Sequence, residues 1–285
     1  MNSIPIYRTI AEIRGAVATE KAAGKRVGLV PTMGALHDGH GRLIETAKRE
    51  SGFVVVSIFV NPTQFGPNED FARYPRTFDA DRTLCAAAGA DAIFAPDAAT
   101  IYPPGFCTFV EVHGLQDKLC GASRPGHFRG VCTVVLKLFH IVEPNVAFFG
   151  QKDAQQSLIL TRMVRDLDVG VEIKIVPTVR EPDGLAMSSR NRYLDPEQRF
   201  HATALWRALK NAKQRIDSGE RDPDVLEKML MSELEQTPGA RLDYASVVSA
   251  DTLEKPAALS GRVLVAVAVF FGTTRLIDNV QVELL

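Results

Sequence analysis

Cysteine is scarce in this 285-residue chain: Cys85, Cys107, Cys120 and Cys132 each stand more than ten positions from the next, with no Cys-x-x-Cys pair. That spacing excludes a dense disulfide framework and fits reduced thiols in a cytosolic protein. A dominant charge is also missing, because 33 Lys and Arg face 34 Asp and Glu for a formal net charge of −1. A binder of duplex nucleic acid or tRNA takes most of its affinity from phosphate contacts and is usually net basic, so no nucleic-acid partner is expected. Long apolar runs are lacking as well. The longest, Val263–Phe271, reads as a buried strand and falls far short of the ~20 residues of a membrane helix. Charges at Arg8, Glu12, Arg14, Glu20 and Lys21 interrupt the N-terminal stretch before it reaches the length of a secretory signal. A cytoplasmic protein with no membrane partner is the expectation.

What the chain does have is the mix of an ordinary globular protein, 46% hydrophobic and 24% charged. Its length suggests about two domains. The segment from Gly24 to Pro31 suits a short strand, Gly39 to Glu50 a helix, and FVVVSIFV at Phe53–Val60 a fully buried parallel strand. The rhythm continues with helices over Asp79–Ala88, His127–Val142 and Ala154–Leu167, and strands at Ala92–Ala95, Val146–Phe149 and Val171–Val176. Such alternation predicts a Rossmann-like, doubly wound parallel α/β sheet. Beyond about Val179 the texture changes. Asp195-Pro196 opens a long helix to Ile216, Asp222-Pro223 opens another to Gln236, and strands follow at Leu242–Val248, Val263–Phe271 and Leu276–Glu283. The division expected is 1–178 for a nucleotide-binding domain and 179–285 for a smaller C-terminal α+β domain acting as a lid.

Three of the predicted strands end in loops with chemical potential, where open α/β sheets bind ligands. In Pro31-Thr32-Met33-Gly34-Ala35-Leu36-His37-Asp38-Gly39-His40, two histidines at a helix N-terminus can reach a phosphate, together with free backbone N–H groups and the positive end of the dipole. A His-x-x-His metal pair and two incidental loop histidines are the other readings, and no nearby cysteine or paired acid supplies a third metal ligand. Asn61-Pro62-Thr63-Gln64 places amides that could grip a hydroxyl and a carboxylate, or it is simply a turn. Gly150-Gln151-Lys152-Asp153, with Gln156 one turn later, offers a cation, a cap or ribose ligand, and an amide, against a solvated helix start as the plain reading. Met187-Ser188-Ser189-Arg190, at the proposed domain junction, suits a polyphosphate.

The His-x-Gly-His element and the later Met-Ser-Ser-Arg loop resemble the paired signatures of the nucleotidyltransferase superfamily that includes class I aminoacyl-tRNA synthetases. PTMGALHDGH, SIFVNPTQFGPNEDFARYPR, GHFRGVCTVVLKLF, FFGQKDAQQ and PTVREPDGLAMSSRNRYL are more specifically similar to the pantothenate synthetase, or pantoate–β-alanine ligase, family. The similarity extends to FGTTRL at Phe271–Leu276. It implies that pantoate and MgATP form pantoyl-adenylate with release of pyrophosphate, and that β-alanine then displaces AMP to give pantothenate. Met33, Gly34, Ala35, Leu36, His37, Asp38, Gly39 and His40 would form the ATP loop, with His37 and His40 on the phosphates and His40 the proton donor. Gly150, Gln151, Lys152 and Asp153 would bind ATP, Lys152 touching phosphate and Asp153 the ribose. Val179 would meet adenine through its backbone, and Met187, Ser188, Ser189 and Arg190 would close over the triphosphate. Gln64 and Gln156 would hold pantoate with Asn61 close by, and Gln64 would border β-alanine. Gln151 departs from the family's Gly-Glu-Lys-Asp pattern, where glutamate is expected. The family commonly forms homodimers through its nucleotide-binding domain.

Pantoate's carboxylate is ionised at neutral pH, so adenylation needs alignment and charge stabilisation, not a base. No residue stands out as the base for β-alanine. Magnesium is expected with ATP, without a dedicated protein cage. Asp79 and Asp81 read as solvated helix-start acids, a place in the ion's hydration shell being the other reading. Two rivals remain: a related nucleotidyltransferase acting on a phosphorylated acceptor, which should show a cationic acceptor pocket, and a non-catalytic nucleotide-binding protein.

Overall fold

The computed structural model describes residues 4–67 and 69–284. Among them nine strands form two sheets. The first comprises β1 (Ile6–Tyr7), β2 (Val27–Thr32), β3 (Phe53–Ile58), β4 (Ala92–Phe94), β5 (Val146–Gly150) and β6 (Glu172–Val176). All pairings are parallel, in the order β1-β4-β3-β2-β5-β6. A parallel sheet carries helices on both faces, so its central strands must be apolar on both sides. Val54, Val55 and Val56 of β3 are accordingly all buried. From β2 the chain runs outward through β3 and β4 on one side and, after returning, through β5 and β6 on the other. That reversal opens a crevice at the C-terminal strand ends. The Rossmann-like α/β class is therefore the one observed. Strand β1 escapes the periodicity because it is two residues long; Ile6 and Tyr7 pair with Ile93 and Phe94 at the sheet edge.

Two helices position the strand-end loops. Asp38–Glu50 buries Gly41, Ile44 and Ala47 on one face and carries Lys48 and Arg49 in its last turn, where cations complement the dipole. His127–Val142 is buried along most of its length. It approaches the turn after β3 so closely that a Cβ on Gly130 would lie 2.4 Å from the Thr63 carbonyl oxygen and 2.7 Å from Gln64 Cα. Only glycine permits that approach.

The second sheet is antiparallel, with β8 (Gly261–Phe271) between β7 (Ala240–Ser249) and β9 (Thr274–Leu284). Helices Ala204–Asp217 and Pro223–Glu235 bury Leu205, Leu209, Leu226 and Leu230 in one cluster with Val263, Val265, Val267 and Val269. The alternate residues of β8 share this face because successive side chains point to opposite sides of a strand. The single helix expected from Asp195 to Ile216 is two, Pro196–His201 and Ala204–Asp217. The break falls where the Thr203 hydroxyl donates to the Phe200 carbonyl at 2.8 Å, a side-chain bond that competes with the helical pattern. In β7 the register shifts between Leu242 and Tyr244, and the intervening Asp243 carboxylate accepts from Arg275 at 2.7 Å.

The chain divides into two compact units. Met1–Gln116, Arg124–Gly150 and Ile159–Pro177 form the first; Asp117–Ser123, Gln151–Leu158 and Thr178–Leu285 form the second. A single cut near residue 178 therefore describes only the last boundary. The two earlier segments join the second unit through non-local bonds, Lys118 Nζ to the Thr252 carbonyl (3.0 Å) and Gln151 Nε2 to Asn279 Oδ1 (3.1 Å). Among the described residues no helix is long and apolar enough to cross a membrane.

Gly130→Ala should push the helix off the turn and cost about 2 kcal/mol in urea denaturation, the usual scale for overpacking against backbone. Wild-type stability in that variant would contradict the tight approach.

Candidate active site

In the first unit, the loop after β2 turns through two consecutive left-handed residues, Gly34 (φ 79°) and Ala35 (φ 51°). For a non-glycine residue that conformation is costly, so something must hold it. Asp81 does. Its Oδ2 accepts from the Ala35 N–H (3.0 Å) and its Oδ1 from the Leu36 N–H (2.8 Å) and the Thr77 hydroxyl (3.1 Å). Asp81 is 2% exposed, which overturns its reading as a solvated helix-start acid. Asp79 does fit that description, with its side chain 92% exposed.

The pinned loop delivers His37 to the N-cap of helix Asp38–Glu50. His37 Nδ1 accepts from the Gly39 N–H (3.2 Å), and His40 Nδ1 accepts from the His37 N–H (3.3 Å). The rings lie 4.2 Å apart. A nitrogen that accepts carries no proton, so each neutral ring bears its hydrogen on Nε2. Both histidines are thereby set as Nε2–H donors. The backbone amides expected to serve a phosphate are largely spent inside the loop, because Gly34 donates to Thr32 Oγ1 (3.2 Å) and those of Ala35, Leu36, His37 and Gly39 are engaged as described. Among the described residues no group of three or more His, Cys, Asp or Glu is arranged to hold a metal.

The turn after β3 brings Asn61, Gln64 and Met33 together. Asn61 is 0% exposed. Its Nδ2 donates to Gln64 Oε1 (3.0 Å) and to the Gly130 carbonyl (3.1 Å), while its Oδ1 accepts from the Tyr102 hydroxyl (2.8 Å), the Thr63 hydroxyl (2.9 Å) and the Thr63 N–H (3.3 Å). With both ends of the amide committed and no exposure, Asn61 is placed to orient Gln64. Burial pushes the Tyr102 phenol above its ordinary range, so it remains a donor. Gln64 Nε2 meets Met33 Sδ at 3.1 Å. Below this turn, His127 Nδ1 lies 2.8 Å from the Gln64 carbonyl and Arg124 Nη2 donates to the same oxygen (3.3 Å). Arg124 is clasped by Glu69; burial opposes ionisation of that carboxyl, but the guanidinium outweighs it and holds the carboxyl below its usual range. Tyr102, Arg124 and His127 were not singled out from the sequence, although the last two lie beside or within the GHFRGV stretch.

In the second unit, Gln151–Asp153 forms a single 3-10 turn ahead of helix Ala154–Asp166. Asn279 Nδ2 donates to the carbonyls of Gln151 (3.0 Å) and Lys152 (2.9 Å), fixing the backbone from which Lys152 projects. Gln155 is buried and structural, donating to the Lys118 carbonyl (2.7 Å) and accepting from the Cys120 N–H (3.0 Å), whereas the next residue, Gln156, is half-buried. Val179 accepts the Met187 N–H (3.0 Å), closing a short hairpin around Gly184. Ser188 caps the 3-10 turn Ser189–Tyr193 that carries Arg190. Arg180 spans the Asp278 carboxylate (2.6 Å) and the Trp206 ring (3.6 Å). Burial pushes Asp278 above its ordinary range despite that guanidinium. No thiol nucleophile is favoured at Cys85 or Cys132, since burial raises each to about 12.

A family profile for pantoate-beta-alanine ligase matches residues 5–281. The chain belongs to the pantoate-beta-alanine ligase family. It is 55% identical to the pantothenate synthetase of Moorella thermoacetica over 278 residues, covering 98% of each chain. The solved pantothenate synthetase of Thermus thermophilus superposes with a TM-score of 0.92 at 47% identity, over 97% of this chain and 98% of that one. A Francisella tularensis ligase, solved with beta-gamma ATP and beta-alanine, gives a TM-score of 0.77 at 35% identity over 97% of both chains. Membership over nearly the whole length does not favour the related nucleotidyltransferase or the non-catalytic nucleotide binder.

For this member of the family, Asp81→Asn should cost about 2–3 kcal/mol in chemical denaturation, because one loop amide would then face an N–H and go unpaired. Hydrogen exchange at Ala35 and Leu36 should accelerate in the variant. Unchanged stability together with unchanged protection would show that the carboxylate does not hold the loop.

Proposed function

We propose that the protein condenses pantoate with β-alanine at the expense of ATP, through a pantoyl-adenylate. The observation that carries this reading is the family match across residues 5–281. Pantoate's carboxylate attacks the α-phosphorus of ATP, supplied as its magnesium complex. The new acyl–phosphate bond forms as the bond to pyrophosphate breaks. The neutral amine of β-alanine then attacks the acyl carbon, AMP departs with its bonding electrons, and the proton lost by the nitrogen passes to solvent. Neither step needs a covalent enzyme intermediate.

The first step depends on positioning and charge. His37 and His40, as Nε2–H donors, bind phosphate oxygens, and His40 stabilises the charge developing there through its Nε2–H hydrogen bond. Lys152 and Arg190 neutralise the triphosphate, Asp153 takes the ribose, and Val179 meets adenine through its backbone. Met33, Gly34, Ala35, Leu36, Asp38 and Gly39 shape the nucleotide loop, and Gly150 and Gln151 shape the turn that presents Lys152. Gln64 and Gln156 align pantoate, and Gln64 also borders β-alanine. Met187, Ser188 and Ser189 shield the labile anhydride from water. Magnesium, entering with ATP, would need no dedicated protein cage and would supply charge neutralisation at the phosphates. A cytoplasmic homodimer joined through the first unit belongs to the same reading, and light scattering tests its assembly.

Labelled pyrophosphate should exchange into ATP only when pantoate is present. Exchange without pantoate, or none with it, would sink the ligase reading. His40→Ala should lower the exchange rate by about 10²-fold while the circular dichroism spectrum stays native, as for loss of a group acting on transition-state charge. Wild-type turnover would make the histidine incidental.

A further inference from the structure

The turn after β3 carries a chain of hydrogen bonds whose direction is determined, and the direction limits what Gln64 can recognise. Two backbone groups fix the orientation of the Asn61 amide. The Gly130 carbonyl can only accept, so the atom 3.1 Å from it must be the Asn61 nitrogen; the Thr63 N–H can only donate, so the atom 3.3 Å from it must be the oxygen. The second hydrogen of Asn61 Nδ2 then points at Gln64, which must answer with Oε1 at 3.0 Å. Gln64 is left presenting Nε2, the donor end of its amide. Its neighbour there is the Met33 thioether at 3.1 Å, a weak acceptor that a stronger one can displace.

Tyr102 ties this chain to the rest of the first unit. The Thr63 hydroxyl and N–H belong to the same turn as Asn61, so they shape it without placing it. The Tyr102 hydroxyl arrives from a separate segment and makes the shortest bond to Asn61 Oδ1, at 2.8 Å. Its ring is packed against Phe59 and Phe106 at centroid distances of 6.2 and 5.0 Å, independent of the hydroxyl.

We propose that Tyr102 and Asn61 are positioning residues that hold the Gln64 amide with its N–H donors outward, so that Gln64 recognises a hydrogen-bond acceptor, the carboxylate of pantoate. This rests on the reading that Gln64 meets pantoate. A hydroxyl could be bound at this position only through its lone pairs. The donor also faces the oxygen that must stay ionised to attack phosphorus, which favours the nucleophilic form of the substrate.

Tyr102→Phe keeps the ring and removes the hydroxyl, and it is compared with wild type and with Gln64→Ala in steady-state kinetics. The pantoate KM should rise about tenfold in Tyr102→Phe, while the ATP KM stays within about twofold and the melting temperature is little changed, the scale expected when one partner of a buried hydrogen bond is lost. In the Gln64→Ala background the same change should add less than about twofold, since the tyrosine acts through the amide. Asn61→Ser should follow the same pattern. An unchanged pantoate KM in Tyr102→Phe would overturn the proposal, as would an equal rise in both KM values or a full effect persisting without Gln64. Pantoate-dependent pyrophosphate exchange by the wild-type enzyme tests the ligase reading separately, so failure of one leaves the other standing.

Discussion

A buried polar side chain must find hydrogen-bond partners, and Asp81 finds them in a loop that needs an anchor. Its two oxygens take the amides of Ala35 and Leu36, across 46 and 45 residues of sequence, and thereby hold the left-handed turn at Gly34 and Ala35. Everything after that turn inherits its position. His37 reaches the N-cap of its helix, and the two imidazoles accept backbone N–H groups through Nδ1. The polarity of the histidine pair thus follows from one hydrogen-bonding side chain distant in sequence.

The same logic recurs in both units. Asn61 spends its whole amide on protein partners and so fixes the amide of Gln64; Asn279 spends its Nδ2 on two carbonyls and so fixes the backbone at Lys152. In each case a saturated, buried polar side chain determines which end of a neighbouring group is presented. That economy suits a ligase whose adenylation step asks for alignment and charge and needs no nucleophile from the protein. The net charge of −1 is no obstacle, since a local field from a few cations can hold a nucleotide without making the surface basic.

The fold was legible where the physical rule is local. The unbroken β-branched run of β3, the amphipathic helix after the histidine loop and the Asp-Pro helix starts at residues 195 and 222 all state their structure within a few residues. The strand-end motifs were legible as well, because the crevice of a doubly wound sheet must lie at those ends. What sequence reading missed is non-local. Asp81 looks like an ordinary helix-start acid until its partners at 35 and 36 are known, and nothing local to Asn61 announces Tyr102 and Gly130 as its partners. The loop amides seemed open to a phosphate for the same reason. The division into units also follows contacts, from Gln151 to Asn279 and from Lys118 to Thr252, that no composition change marks.

The anchored loop sets both histidines as Nε2–H donors. Nitrogen NMR of the protein labelled at histidine, recorded near pH 8, reads the tautomer of each ring directly. His37 and His40 should both show a protonated Nε2 and an unprotonated, hydrogen-bond-accepting Nδ1. A proton on Nδ1 of either ring would contradict it.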